Sequence, residues 1–186
     1  MVDKLTPGQR HECMAHIRAK DTRPEMIVRR WLWREGYRYR LHVRRLPGNP
    51  DIVLRGLKTV IFINGCFWHG HNVEDSEEAV TGGGVVELTD SECCRIPHTN
   101  REFWLKKIRN NRLRDRHNYA AYLKEGWHVL VVWECMLKPR KREATLKALS
   151  QRLNNIFLEG YRAAPMPIVQ QEDETDMAAE EELSRG

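Results

Sequence analysis

The sequence predicts an α/β domain in which a mixed central β-sheet is flanked by helices. Segments with helical apolar spacing and short strand-like runs follow one another in the order helix, three strands, helix, strand, helix. The chain has 186 residues, 41% of them hydrophobic, which is enough for one domain with a substantial core. The last strand-like run is almost entirely apolar, as expected of a strand in the centre of a sheet.

Two helices are predicted near the N-terminus. The segment Thr6–Ala19 begins with a Thr-Pro pair, which is typical of an N-cap followed by the first helical position. A second helix is predicted over 24–35, because Asp21 or Thr22 can cap it and Gly36 can end it. Its apolar residues have helical spacing and are predicted to face the core: Ile27, Val28, Trp31 and Leu32.

Four strands are predicted from short apolar or alternating runs. Tyr37–His42 alternates with a period of two, Asp51–Leu54 is short, and Thr59–Ile63 has the composition of a buried strand. The Arg55–Lys58 segment between the second and third strands is predicted to be a hairpin turn. Trp127–Trp133 has the near-continuous apolar run that predicts a central position.

Two longer helices complete the predicted domain, which spans residues 1–160. Asn100 is predicted to cap a helix that continues through Lys124. Glu143–Leu158 has the apolar spacing of a final amphipathic helix.

Two acidic segments conceal a basic surface. Residues 72–92 form an acidic insert with seven acids and no Lys or Arg, and a small hairpin is predicted within it at Val85–Leu88. Residues 161–186 are rich in proline and acids, which predicts a disordered tail, and its part 171–186 has seven acids and one arginine. The whole chain has a net charge of +5, so removing 72–92 and 171–186 leaves +18 on the remainder. This balance favours a polyanionic partner.

The sequence predicts a cytoplasmic protein that does not associate with membranes. It has no apolar run of the roughly 18 residues needed to span a bilayer, and its N-terminus lacks the apolar region of a signal peptide. In a reducing compartment the five cysteines are more typical of metal ligands or buried thiols than of disulfides.

Asp51 follows a proline-rich turn and precedes two predicted strands, an arrangement in which many nucleases hold Mg²⁺. The usual acid-x-lysine pair is missing from the next strand, which ends Ile61-Phe-Ile-Asn64. His69 is therefore the candidate general base, and the backbone carbonyl of Ile63 is a candidate oxygen ligand. Simpler explanations exist: an Asp after a turn is often a cap, and Glu25 in the first turn of a helix suits the helix dipole.

Cysteine and histidine residues surround the loop that follows this strand. Cys66 and His71, together with Cys135 and either Cys93 or Cys94, have the ligand types of a tetrahedral zinc site. Such a site would hold the loop against the sheet. The alternative is that the cysteines are buried thiols without a metal.

Phe67 and Trp68 are consecutive large aromatic residues in a polar loop. They can stack on bases or wedge between base pairs, and Trp104 on the facing helix can add a third ring. The alternative is that they anchor the loop by packing.

Asp115 lies among arginines, where it is either a solvated ion-pair residue or the acceptor of a hydrogen bond that orients His69.

Four motifs together resemble the very-short-patch-repair (Vsr) mismatch endonucleases. They are Leu46-Pro-Gly-Asn-Pro-Asp51, Gly65-Cys-Phe-Trp-His-Gly-His71, the segment from Pro97 to Trp104, and Val132-Trp-Glu-Cys135. The resemblance covers about residues 8–158 and implies a restriction-endonuclease-like fold. It also implies a Mg²⁺-dependent nick of double-stranded DNA 5′ to the T of a T·G mismatch, which arises by deamination of 5-methylcytosine. The expected protein is bacterial and monomeric, it acts on nucleoid DNA, and other repair proteins are candidate partners.

The resemblance also implies a role for each matching residue. Asp51 would bind Mg²⁺ and His69 would be the general base, with Asp115 supporting His69 and Glu25 assisting at the water shell of the metal. The implied zinc ligands are Cys66, His71, Cys135 and Cys94, with Cys93 as the alternative to Cys94. The implied intercalating residues are Phe67, Trp68 and Trp104.

Two departures from the family pattern leave alternatives open. The family has a third zinc ligand two residues after the histidine, where this chain has Asn72-Val73, and the insert with its charge of −7 adjoins a DNA-binding loop. The alternatives are a related nuclease without mismatch preference and a non-catalytic, zinc-containing DNA-binding module in which Asp51 is only a cap.

Overall fold

The computed structural model describes residues 6, 8, 9, 12, 20–71, 85–88, 93, 94 and 96–163, with 85–88 and 163 described by their backbone alone. At the start of the predicted first helix, the Thr6 hydroxyl oxygen accepts a hydrogen bond from the Gln9 backbone N–H at 3.3 Å, as an N-cap does. Most of that helix, most of the acidic insert and the tail beyond residue 163 lie outside the described residues.

The described strands form one mixed sheet of five strands in the order β1-β2-β3-β5-β4. The strands are β1 (Arg40–Leu41), β2 (Ile52–Leu54), β3 (Thr59–Asn64), β4 (Val85–Leu88) and β5 (His128–Trp133). The first three are antiparallel neighbours, whereas β5 pairs in parallel with both β3 and β4. The predicted mixed sheet is confirmed, and β5 is flanked by a strand on either side as its apolar run predicts.

Three long helices among the described residues flank this sheet: α1 (Arg23–Arg34), α2 (Arg101–Lys124) and α3 (Pro139–Ala163). Thr22 caps α1, because its hydroxyl oxygen accepts a hydrogen bond from the backbone N–H of Glu25. Asn100 precedes α2 as predicted, but its backbone is left-handed and its side chain makes no capping hydrogen bond. None of the described helices has both the length and the apolarity that a bilayer span requires.

Both faces of the sheet are buried, which explains why the central strands are apolar at nearly every position. Against one face pack α1 and α3, and the buried residues there are Val28, Leu32, Ile52, Leu54, Ile61, Leu130, Val132, Leu137, Leu146, Leu149, Leu153 and Ile156. Against the other face packs α2, with the buried set Val53, Val60, Phe62, Cys66, Tyr119, Tyr122, Val129, Val131, Trp133 and Cys135. The side chains alternate between the two sets along β3 and β5, as a period of two requires.

The first predicted strand is shorter than the alternating pattern indicates. Only Arg40–Leu41 pairs with β2, and His42 ends the strand with a positive φ of 46°. The preceding tyrosines are occupied elsewhere: the Tyr37 hydroxyl donates to Asn154 Oδ1 at 2.7 Å, and the Tyr39 hydroxyl donates to the Arg29 carbonyl at 2.9 Å. The alternating pattern correctly placed Tyr37 and Tyr39 on one side of the segment. Their hydroxyl groups bind α3 and α1, and their backbone does not pair with β2.

Two other predicted elements need correction. The predicted hairpin at Val85–Leu88 is wrong, because this segment is a single strand that pairs in parallel with β5. The final helix starts at Pro139 and continues through Ala163, so residues 161–163 of the predicted tail belong to it. Proline suits the first turn of a helix, since that position needs no N–H donor.

The topology brings chemically reactive residues to one edge of the sheet. Because β3 and β5 are parallel neighbours, with Asn64 opposite Trp133, the segments that leave both strands emerge side by side. One segment is the loop Gly65–His71, and the other begins with Glu134 and Cys135. Asp51 reaches the same edge from the start of β2, which is antiparallel to β3.

Candidate active site and metal centre

A cavity of about 680 Å³ opens at this edge of the sheet. Its walls come from the start of α1, the turn before β2, the end of β3, the middle of α2 and the residue after β5. The charged or titratable residues in its walls are Glu25, Asp51, His69, Arg114, Asp115 and Glu134. The structure thus brings together all four residues that the sequence analysis assigned to catalysis.

Asp51 is held in this cavity by the backbone of β3. Its Oδ2 accepts a hydrogen bond from the Ile63 N–H at 2.7 Å. Burial, with a further contribution from the nearby charge of Glu25, raises the pKa of Asp51 to about 6, against the lowering effects of the Ile63 N–H and His69. The carboxylates of Glu25 and Asp51 both line this cavity, and carboxylate oxygens are the ligands that a hard divalent cation prefers.

Glu25 lies in the first turn of α1 and also lines the cavity. Its side chain is buried, with 4% of the residue exposed. One carboxylate oxygen accepts from the Thr22 hydroxyl at 2.9 Å, and the other accepts from the Asp21 N–H at 3.0 Å. Together with the Glu25 N–H, which donates to the Thr22 hydroxyl at 3.4 Å, these bonds hold the start of α1, and Glu25 lies in the first turn as the helix-dipole explanation expects. The same bonds hold the carboxylate in the wall that it shares with Asp51.

His69 is oriented by α2. Its Nδ1 lies 2.5 Å from Asp115 Oδ2, and the side chains of His69 and Asp115 are only 27% and 18% exposed. Since an ionised carboxylate can only accept, Nδ1 is the donor in this contact, which leaves Nε2 as the ring nitrogen able to accept a proton. Of the two roles considered for Asp115, this contact fits the hydrogen-bond acceptor that orients His69 and not the solvated ion-pair residue.

A second cluster lies behind the Gly65–His71 loop. The four potential ligand atoms of Cys66, His71, Cys93 and Cys135 all lie within 4.8 Å of one another. His71 Nδ1 is 2.9 Å from Cys93 Sγ and 3.4 Å from Cys135 Sγ. Of the two adjacent cysteines the structure places Cys93 in the cluster, whereas Cys94 Sγ is directed to the Phe67 carbonyl at 4.0 Å. The expectation that Cys94 is the ligand is therefore corrected: the sulfur that lies among the other three ligand atoms is that of Cys93.

This cluster has the composition and spacing of a tetrahedral metal site. Burial raises the pKa of the Cys66 and Cys93 thiols, so a cation is needed to hold them as thiolates. Three sulfurs and one imidazole nitrogen around a common centre suit Zn²⁺, whose ligands lie about 2.0–2.3 Å from the ion. The His71 ring is also fixed by stacking on Trp133, with centroids 4.1 Å apart and planes 10° apart.

An aromatic group lies beside the cavity, on the outer side of the same loop. The Phe67 ring centroid is 5.1 Å from those of both Trp68 and Trp104, and the two tryptophans are 6.1 Å apart. Lys107 Nζ lies 5.2 Å from the Trp68 centroid and 5.5 Å from that of Trp104. The three predicted wedge residues thus form one group, and edge-on packing holds the loop and α2 together.

Comparison with known proteins agrees with this geometry. A profile of the family described as DNA mismatch endonuclease Vsr matches residues 2–75. The type II nicking enzyme V.XorIIP of Xanthomonas oryzae is 42% identical over 160 residues, covering 84% of this chain and 98% of the relative. The chain belongs to the Vsr family. A second Vsr-like relative, the type II nicking enzyme V.NmeAIP of Neisseria meningitidis, is 41% identical over 159 residues, 86% of this chain and 96% of the relative. The DNA mismatch endonuclease Vsr of Escherichia coli is 35% identical over 153 residues, 82% of this chain and 86% of the relative.

Helix α2 organises the Vsr site in a way that the sequence analysis missed. Besides Asp115, three of its residues hold the loops that carry the site. Asn111 Nδ2 donates to the Trp68 carbonyl at 2.8 Å, the Tyr119 hydroxyl accepts from the Asn64 amide at 3.2 Å, and the Tyr122 hydroxyl donates to the Pro47 carbonyl at 2.8 Å. The spacing of these residues, three or four apart on one face, was the available signal.

Glu134 was also missed by the sequence analysis. It lies in the cavity wall, and its Oε2 is 3.7 Å from the position that a Cβ on Gly65 would occupy. Its place directly after a central strand was the available signal, since side chains at strand ends often line sites in α/β sheets.

Proposed function

We propose that this Vsr-family protein is a Mg²⁺-dependent DNA endonuclease that nicks one strand of a duplex 5′ to the T of a T·G mismatch. The observation that carries the proposal is the shared cavity. It contains Asp51, Glu25 and the His69–Asp115 pair, and it adjoins the aromatic group of Phe67, Trp68 and Trp104. A centre for phosphodiester hydrolysis therefore lies next to rings that can enter a base stack.

The cavity suits Mg²⁺ through its oxygen ligands. Asp51 would bind the ion directly, the Ile63 carbonyl would add a backbone oxygen, and Glu25 would hold water molecules of the hydration shell. When bound, the ion would polarise the phosphate and stabilise the charge on the leaving oxygen. The raised pKa of Asp51, caused mainly by burial and further by the charge of Glu25, supports this assignment, because a bound cation would stabilise the ionised carboxylate.

His69 would act as the general base. Its Nδ1–H is donated to Asp115, so Nε2 is free to take a proton from water. The water oxygen then forms a bond to phosphorus and one P–O ester bond breaks, which leaves a terminal phosphate; the departing sugar oxygen takes a proton from solvent water and becomes a hydroxyl. Asp115 keeps the ring in the required tautomer and stabilises its positive charge after proton transfer.

The Cys66–His71–Cys93–Cys135 cluster would hold a structural zinc ion. Four protein ligands leave no open position for a substrate, which is typical of structural zinc sites. Because Cys66 and His71 flank Phe67, Trp68 and His69, this zinc would fix both the base and two of the wedge residues.

The aromatic group would give access to the mismatch. Insertion of a ring between base pairs costs a few kcal/mol of stacking, and a mispaired base is the easiest to unstack. The names of the relatives also support the proposal: the Escherichia coli relative is called a DNA mismatch endonuclease, and the Xanthomonas oryzae and Neisseria meningitidis relatives are called nicking enzymes.

The test is a comparison of duplexes that differ at one base pair. Purified protein with Mg²⁺ is incubated with labelled duplexes containing T·G, T·A or C·G at the same position, in a library of flanking sequences. We expect one nick, in the strand with the mispaired T and on its 5′ side. Equal nicking of all three duplexes would instead assign the protein as a nuclease without mismatch preference, and no nicking of any duplex would refute the proposal.

A further inference from the structure

The cavity is strongly acidic, yet its proposed substrate is an anion. Its wall carries the carboxylates of Glu25, Asp51, Asp115 and Glu134. Mg²⁺ would offset two of these charges, and the phosphate adds another negative charge. Many other Mg²⁺-dependent nucleases have a lysine on the strand that here contains Ile61–Asn64, and this strand lacks it. A protein cation near the scissile phosphate would offset the remaining negative charge.

Of the described residues that line the cavity, Arg114 is the one with a Lys or Arg side chain. It is an exposed residue on α2, directly before Asp115, and both residues line the cavity together with His69. A guanidinium keeps its charge at any pH at which the protein is folded, and its planar donors match two phosphate oxygens.

Arg114 is also connected to the wedge loop. Its Nη2 donates to Asn111 Oδ1 at 3.0 Å, and the amide nitrogen of the same Asn111 donates to the Trp68 carbonyl at 2.8 Å. Asn111 thus uses both ends of its amide, one on the guanidinium and the other on the backbone of a wedge residue. Asn111 therefore connects Arg114 by hydrogen bonds to the loop that is proposed to enter the DNA.

We propose that Arg114 is a catalytic residue that binds a non-bridging oxygen of the scissile phosphate, and that Asn111 is a positioning residue that holds Arg114 in register with Trp68. The inference rests on the proposed nicking function. A fixed cation at this oxygen stabilises the negative charge that develops when water attacks phosphorus. Through Asn111, the contact of Arg114 with the phosphate would depend on the insertion of Trp68 into the DNA.

The competing interpretation is that Arg114 contacts a flanking phosphate and contributes only to binding. Loss of one such contact weakens binding similarly for all sequences and leaves the rate of the bound complex unchanged. The two interpretations therefore differ in the rate measured when all the DNA is bound.

The experiment measures single-turnover nicking of a T·G duplex at saturating enzyme with Mg²⁺, and the Kd of the same duplex without Mg²⁺. The variants are R114Q, R114K, N111A and the double variant N111A/R114Q. K106Q is the matched control, because Lys106 is an exposed cation on α2 outside the cavity wall. Zinc content and thermal unfolding verify that each variant is folded.

For R114Q we expect a loss of about 100-fold or more in the saturated rate, with a Kd within about 3-fold of the wild type. R114K should lose less, since a lysine keeps the charge but not the paired donors. N111A should lose about 10-fold, and its loss should be smaller in the R114Q background, because part of its effect acts through Arg114 and part through the Trp68 carbonyl. K106Q should keep the wild-type rate.

Three results would overturn the inference. The first is an R114Q rate within 2-fold of the wild type at saturation, even if its binding is weaker. The second is equal loss in K106Q and R114Q, and the third is a full additional effect of N111A in the R114Q background, which would remove the positioning role. If the wild type nicks no duplex, the proposed function fails and the inference fails with it.

Discussion

The Nδ1 atom of His69 lies 2.5 Å from Oδ2 of Asp115, and this contact joins the Gly65–His71 loop to helix α2. The loop also carries two ligands of the Cys₃His cluster and two rings of the aromatic group. One hydrogen bond therefore relates the proposed base to the helix that carries Trp104 and Arg114. The packing of this loop against α2 therefore determines which ring nitrogen of His69 donates to Asp115.

Asp115→Asn should lower the nicking rate about 10- to 100-fold with little change in DNA binding. The amide can donate as well as accept, so it no longer enforces the tautomer with Nε2 unprotonated. Single-turnover nicking of a T·G duplex measures the effect. Glu143→Gln is the control, because Glu143 is an exposed carboxylate on α3 that pairs only with Lys147 among the described residues. A D115N rate equal to that of the control would contradict the assignment.

Asp51→Asn should stabilise the fold near neutral pH when no divalent cation is added. Burial raises the pKa of Asp51 from 3.8 to about 6, so the folded state holds this proton more tightly than the unfolded state. The stability that the protonated carboxyl contributes is full below pH 3.8 and is lost as the pH rises through about 6. The wild type is thus penalised by roughly 1–3 kcal/mol at pH 7, and the variant is not.

Urea unfolding at several pH values measures this difference. D51N should unfold at a higher urea concentration at pH 7, and the gain should disappear by about pH 4. Added Mg²⁺ should stabilise the wild type and leave D51N unaffected, since it binds only the folded wild-type site. A constant difference across the whole pH range would show that Asp51 is not the titrating group.

The sequence predicted the α/β class, the antiparallel pairing of β2 with β3 and the central position of β5, because these follow from the apolar periodicity of the three strands. It could not predict that Val85–Leu88 pairs with β5, since a four-residue segment with three apolar residues, in an acidic insert, does not specify a distant partner. The resemblance of its motifs to the Vsr family also predicted that Asp51 and His69 belong to one site. The contacts of Asn111 and Tyr119 depend on how α2 packs across the sheet, which local patterns do not encode.

The choice between Cys93 and Cys94 shows the same limit. Neighbouring cysteines have identical local signals, and only the path of the chain decides which sulfur lies next to His71.

The purified protein should contain about one zinc ion per chain. Cys93→Ser and Cys135→Ser should lose zinc and unfold at lower temperature, because zinc binding contributes directly to folding. Cys94→Ser is the matched control and should keep its zinc. Elemental analysis showing zinc loss in C94S and not in C93S would reverse the assignment.

Trp68→Ala and Trp104→Ala should weaken binding to a T·G duplex by about 1–3 kcal/mol each, roughly 5- to 150-fold in Kd. The reason is the loss of a ring that can stack on an unpaired base. Phe157→Ala is the control, since Phe157 is also an exposed aromatic residue, 58% accessible, but lies on α3. Fluorescence anisotropy with labelled duplexes measures all three Kd values. A similar loss in the control would point to general destabilisation, and no loss in either tryptophan variant would rule out the wedge.

The central claim is that the cavity containing Asp51 and His69 hydrolyses DNA. The most direct measurement compares wild type and Asp51→Ala on a strand-labelled T·G duplex with Mg²⁺, with binding measured on the same duplex. We predict that the wild type produces one nick 5′ to the mispaired T. The variant should bind the duplex with similar affinity and produce no nick. An Asp51→Ala protein that nicks at the wild-type rate would contradict the claim.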